Sequence, residues 1–99
     1  MKMLLVVYSD TVDQEVMSAL TEADIRKYTK MERVEGRGPD DEELAKLGTL
    51  YSPERYILMM IAAQDEEVAK ITEMFRQLKK DHPVRGGYHL FMLPMEQLL

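Results

Sequence analysis

Two uninterrupted apolar runs, Met3 to Tyr8 and Tyr56 to Ala63, constrain this chain more than any other feature. A strand with one wet face alternates polar and apolar residues, whereas a run apolar at every position belongs to a strand covered on both sides. Each run leads into a segment of helical periodicity. After the first, Val12, Val16, Leu20 and Ala23 recur on one face, and Thr11 with Gln14 has capping-box spacing, so the pattern predicts a helix over Thr11 to Ala23. Asp24 stands at its stop, where aspartate tolerates the left-handed conformation better than most residues. After the second run, Asp65, Glu66 and Glu67 place acids at a helix start, and Arg76, Lys79 and Lys80 place bases at its end. Val68, Ile71, Met74, Phe75 and Leu78 form its buried stripe, and Pro83 prevents continuation.

Two further strands complete the set. Ile25 to Glu35 contains Tyr28, Thr29 and Val34 but also Arg26, Lys27, Lys30 and Arg33, which suits an edge. Tyr88 to Leu93 follows the flexible Gly86-Gly87 pair and ends at Pro94. The order β-α-β-β-α-β predicts one α+β domain over residues 1–99: a ferredoxin-like βαββαβ fold, with a four-stranded antiparallel sheet and two helices on one face. The first and third strands, the apolar ones, belong in the middle. Between the second and third strands lies a long connection, residues 36–53, and a loop of that length in a small domain is usually functional. Within it, Asp40 to Gly48 has the cap, first-turn acids and terminal glycine of a helix of about two turns.

Two helices cover one sheet face only. Whichever of Met3, Leu5, Val7 or Leu4, Val6, Tyr8 faces them, the other set stays uncovered, and Ile57 to Ala62 repeats the problem. Covering half a dozen such side chains is worth on the order of 10 kcal/mol per subunit. Association costs roughly 4–15 kcal/mol for the whole complex, so an oligomer is expected.

Charge and composition remove several functions. A net charge of −5 argues against nucleic-acid binding, which needs a basic face. The absence of cysteine excludes thiolate metal sites, disulfides and thiol nucleophiles. No apolar run reaches the roughly 18 residues of a membrane span, and the first run lacks a signal-peptide cleavage site, so the expected compartment is the cytoplasm. No nucleophile–base pair or metal triad is legible, and the chain is not expected to be an enzyme. Asp40-Asp41-Glu42-Glu43 reads as a solvated helix start rather than a cation site, and His82 before Pro83 as a loop residue. The nine methionines are accounted for by packing, with Met59, Met60 and Met74 at core positions.

Three segments resemble the PII signalling protein family: Met1 to Val7 with the helix after it, Val34-Glu35-Gly36-Arg37-Gly38, and Phe91-Met92-Leu93-Pro94-Met95-Glu96. Tyr28-Thr29-Lys30, Leu47-Gly48-Thr49 and Ser52-Pro53 are similar to a divergent branch with a shortened T-loop. The resemblance implies a homotrimer whose inter-subunit clefts bind an adenine nucleotide or another small anionic effector. It also implies a T-loop, here residues 36–53, that docks on a target protein such as a transporter or enzyme, with membrane association only indirect, through a transporter. Carried over by residue, Gly36, Arg37 and Gly38 fall at the T-loop base. Gly86, Gly87 and His89 fall at the phosphate-binding turn, where PII usually reads Gly-Asp-Gly-Lys and this chain has Tyr88 and His89 in the last two places. The family's modified tyrosine does not transfer to Tyr51. Read without the family, Gly36-Arg37-Gly38 also suits an ordinary turn, and a small-ligand or metal-binding module of CutA-like or amino-acid-binding type has the same architecture.

Overall fold

The computed structural model describes residues 1–36 and 54–99. The helix expected at 40–48 lies outside the described residues, as do Arg37, Gly38 and Tyr51. Strand β1 spans Lys2–Ser9, helix α1 Asp13–Glu22, β2 Thr29–Gly36, β3 Glu54–Ala63, helix α2 Asp65–Asp81 and β4 Tyr88–Pro94. The sheet order is β2-β3-β1-β4, and every neighbouring pair is antiparallel. The two apolar runs are therefore the central strands, as a ferredoxin-like α+β fold requires.

The pleat divides these strands cleanly. Leu4, Val6 and Tyr8 of β1 and Ile57, Met59, Ile61 and Ala63 of β3 are buried beneath the helices, where Val16, Leu20, Ile71, Phe75 and Leu78 close the core. The opposite face carries Met3, Leu5 and Val7 in register with Ala62, Met60 and Leu58 on one side and with Leu93, Phe91 and His89 on the other. In this chain alone that face stays partly open: Phe91 is 54% exposed and Leu93 46%. Met60 thus lies on the open face, half-buried, rather than in the core as its neighbour Met59 does.

Local detail departs from the sequence reading in three places. Thr11 does not cap α1. A 3-10 turn over Asp10–Val12 intervenes, and Ser9 caps that turn, its Oγ accepting from the Thr11 amide at 3.3 Å. Asp24 adopts φ 59° after the helix, the left-handed stop anticipated there. Strand β2 starts four residues later than the pattern suggested, and its register with β3 shifts between Met31 and Val34. Arg33 takes φ 61° at this bulge, which lets a basic residue leave the ladder. Finally, α2 has an N-cap that periodicity alone missed: the Gln64 backbone N–H donates to Glu67 Oε1 at 3.0 Å.

Candidate functional site

The connection from α2 to β4 is a tight turn closed by the Gly87 amide donating to the Val84 carbonyl at 3.0 Å. Gly86 and Gly87 have φ 83° and 68°, both in the left-handed region that side chains resist. Successive glycines of this kind turn backbone amides toward one side and can present them to an anion. The sequence segment does what its composition allows, and Arg85, exposed in the same turn, brings a cation beside it.

His89 stands next to this turn on β4. Its ring nitrogen Nε2 lies 2.7 Å from the Gly86 carbonyl. A carbonyl only accepts, so Nε2 carries the proton and the imidazole clips its own turn. The ring also stacks on Phe91, with centroids 6.4 Å apart and planes 10° apart. Tyr88, where PII usually has glycine, points to the other face. It lies opposite Tyr8, tilts against Phe75, and its hydroxyl donates to the His82 carbonyl at 2.8 Å. Burial, with the Glu15 carboxylate as a smaller cause, raises its pKa. The Tyr88 side chain therefore leaves the outer side of the turn uncrowded.

Gly36 and Gly86, fifty positions apart, meet at Tyr56. A Cβ at Gly36 would lie 2.5 Å from the Cδ2 and Cε2 atoms of that ring, and a Cβ at Gly86 2.5 Å from its hydroxyl. Tyr56 is 6% exposed and is set in the sheet between Val34 of β2 and Ser9 of β1. A Cβ at Gly87 would meet nothing within 4 Å, so the free space of the turn lies there. Of the six residues singled out in the sequence, the fold thus gathers Gly36, Gly86, Gly87 and His89 at one end of the sheet. Arg37 and Gly38 lie outside the described residues. Tyr56 and Arg85 went unmarked as site residues, because a tyrosine opening an apolar strand and an arginine before glycines are both common.

A second cluster lies on the helix side at the same end. The Tyr8 hydroxyl donates to Asp13 Oδ1 at 2.7 Å, and Lys30 Nζ donates to Asp13 Oδ2 at 3.0 Å while pairing with Glu32 at 3.5 Å. Burial first, then the bond to the Asp13 carboxylate, pushes the Tyr8 phenol far up. The Asp13 bond likewise raises Lys30. Every member is paired, so the cluster joins β1, α1 and β2 rather than presenting a reactive group. Among the described residues, no group of three or more His, Asp or Glu is placed to hold a metal.

Comparison with solved structures finds the same fold. CPII from Thiomonas intermedia K12, bound to ADP, AMP and acetate, matches with a TM-score of 0.65 at 17% identity, over 92% of this chain and 81% of that one. The apo form of CPII, described as a nitrogen regulatory PII-like protein, gives a TM-score of 0.65 at 17% identity, over 93% and 85%. A further CPII structure, bound to ADP, AMP and bicarbonate, gives 0.64 at 16%, over 99% and 94%. No curated protein sequence matches. The family profile described as nitrogen regulatory protein P-II matches residues 1–99, the whole sequence, and the chain belongs to that family.

Proposed function

We propose that this P-II protein is a homotrimeric regulator that senses a small anionic effector, an adenine nucleotide first among candidates, in a cleft between subunits. P-II proteins are regulatory rather than enzymatic, are typically trimeric and act on target proteins. In this chain the effector's phosphates are taken by the Gly86–Gly87 turn, with Arg85 supplying positive charge just before it and His89 standing where the family usually has lysine. Residues 36–53 carry the signal to the target, a transporter or an enzyme. Arg37 and Gly38 belong to the same site at the start of that segment. The protein works in the cytoplasm; among the described residues no helix is long and apolar enough to cross a membrane.

The observation that supports this reading best is the open backbone at Gly87. It combines left-handed φ with free space, beside a half-open apolar sheet face onto which a second subunit would pack. The ADP and AMP bound by CPII suggest the ligand class. Native mass spectrometry with ADP, AMP and ATP tests it. The expected result is a trimer taking up one nucleotide per subunit, with uptake weakened by Arg85→Ala. A charge-assisted contact is worth roughly 1.5–3 kcal/mol, so that weakening should be about ten- to a hundredfold. A trimer that takes up none of the three nucleotides would reject the nucleotide reading.

A further inference from the structure

Glycines at a ligand site are normally explained by the ligand's need to approach the backbone. Among the described glycines of this site, Gly87 alone has the open space that explanation needs. At Gly36 and Gly86 the close approach is made by Tyr56 of the same chain, with its ring carbons against the first and its hydroxyl against the second. Either glycine, given a side chain, would force the tyrosine to move. The tyrosine is itself fixed at its root, because β3 is paired on both sides and the residue is almost fully buried. A phenol ring has only two rotatable bonds and no internal flexibility, so it behaves as a stiff wedge between two backbones.

We propose that Tyr56 is a positioning residue that couples the glycine turn to the end of β2. A phosphate-bearing ligand settling in the space at Gly87 shifts the turn, the adjoining Gly86 presses on the hydroxyl end of the ring, and the ring passes that displacement to Gly36. Gly36 is the last described residue of β2 and adjoins residues 37–53 in the chain, so occupancy at the turn is communicated to the proposed signalling segment by one side chain. This inference takes its ligand from the function proposed above, but the coupling can be measured without any ligand.

Hydrogen exchange over residues 31–36 provides the readout, with ADP as the probe. In the wild type ADP should slow that exchange. Tyr56→Phe removes the closest contact at Gly86, that of the hydroxyl, and Tyr56→Ala removes the contacts at both glycines. In either variant ADP should still bind, while its effect on residues 31–36 shrinks by about two- to thirtyfold, the range over which residues along a coupled path change coupling. An undiminished exchange response in Tyr56→Ala would overturn the proposal. If the wild type binds no ADP, the nucleotide reading fails by itself and Gly86→Ala decides the coupling. Its new Cβ should alter exchange at 31–36, and adding Tyr56→Phe, which relieves the closest contact, should bring the pattern back toward wild type. Gly87→Ala is the control: it shares the left-handed strain but not the contact, so Tyr56→Phe should not relieve it. Unchanged exchange at 31–36 in Gly86→Ala, or no restoration by Tyr56→Phe, would equally overturn it.

Discussion

Tyr8 is completely buried, yet its polar end is satisfied by Asp13, and Asp13 is held in turn by Lys30. One carboxylate thus serves a central strand, a helix start and an edge strand. Removing it strands a buried hydroxyl, so Asp13→Ala should cost about 1–3 kcal/mol in urea unfolding. Lys30→Met removes only one arm of a part-exposed pair and should cost about 1 kcal/mol or less. The same residues give a pH dependence of definite sign. Tyr8 and Lys30 hold their protons more tightly folded than unfolded, so their contribution is complete below about pH 10. As pH rises above that, the unfolded chain loses protons that the folded one keeps, and stability falls by up to about 1.4 kcal/mol per pH unit for each group. Tyr8→Phe should flatten that fall above about pH 10. An equal slope in wild type and Tyr8→Phe would show that the buried phenol does not carry it.

Among the elements, the central strands and both helices are legible from residue type, because burial selects apolar residues along the whole of each strand run and along one stripe of each helix. Edge strand β2 is less so. Its bulge depends on how β2 slides against β3, and nothing about Arg33 announces a left-handed φ. A β-branched residue resists that conformation more than arginine does, so Arg33→Val should cost about 1–2 kcal/mol in thermal or urea unfolding, while Arg33→Gly should cost little. The start of α2 makes the complementary case. Glu67 reads as a first-turn acid in the sequence, but its carboxylate also accepts the Gln64 amide. Glu67→Ala should therefore cost about 0.5–2 kcal/mol, more than loss of a solvated charge. For the site, the Gly86–Gly87 turn was visible as a glycine pair, whereas the meeting of Gly36, Tyr56 and Gly86 was not. It depends on β3 lying between β2 and β1, a fact of topology that no local pattern of residues contains.

At the scale of the whole molecule, the question is what covers the sheet face that the helices leave open. Leu5 lies between Met60 and Phe91, Val7 between Leu58 and His89, and Met3 between Ala62 and Leu93, making a continuous apolar surface across three strands. Patches of this kind on a folded chain mark an interaction surface. Its position matters as well: His89 and Phe91 stack on this face, and the Gly86–Gly87 turn opens at its end. Self-association through the face would therefore bring a second subunit to the edge of the turn, as a shared cleft requires. Phe91 discriminates best, because in the single chain it is more than half exposed and adds little to the core. Phe91→Glu should leave unfolding of the isolated subunit nearly unchanged, within about 0.5 kcal/mol as for other surface positions. It should nevertheless convert the proposed trimer of 11.5 kDa chains into monomers in analytical ultracentrifugation at micromolar concentration. Nucleotide uptake should fall with it, although Phe91 does not belong to the turn. If Phe91→Glu sediments as wild type does, the subunits associate through another surface, and the turn would have to bind its anion within one chain.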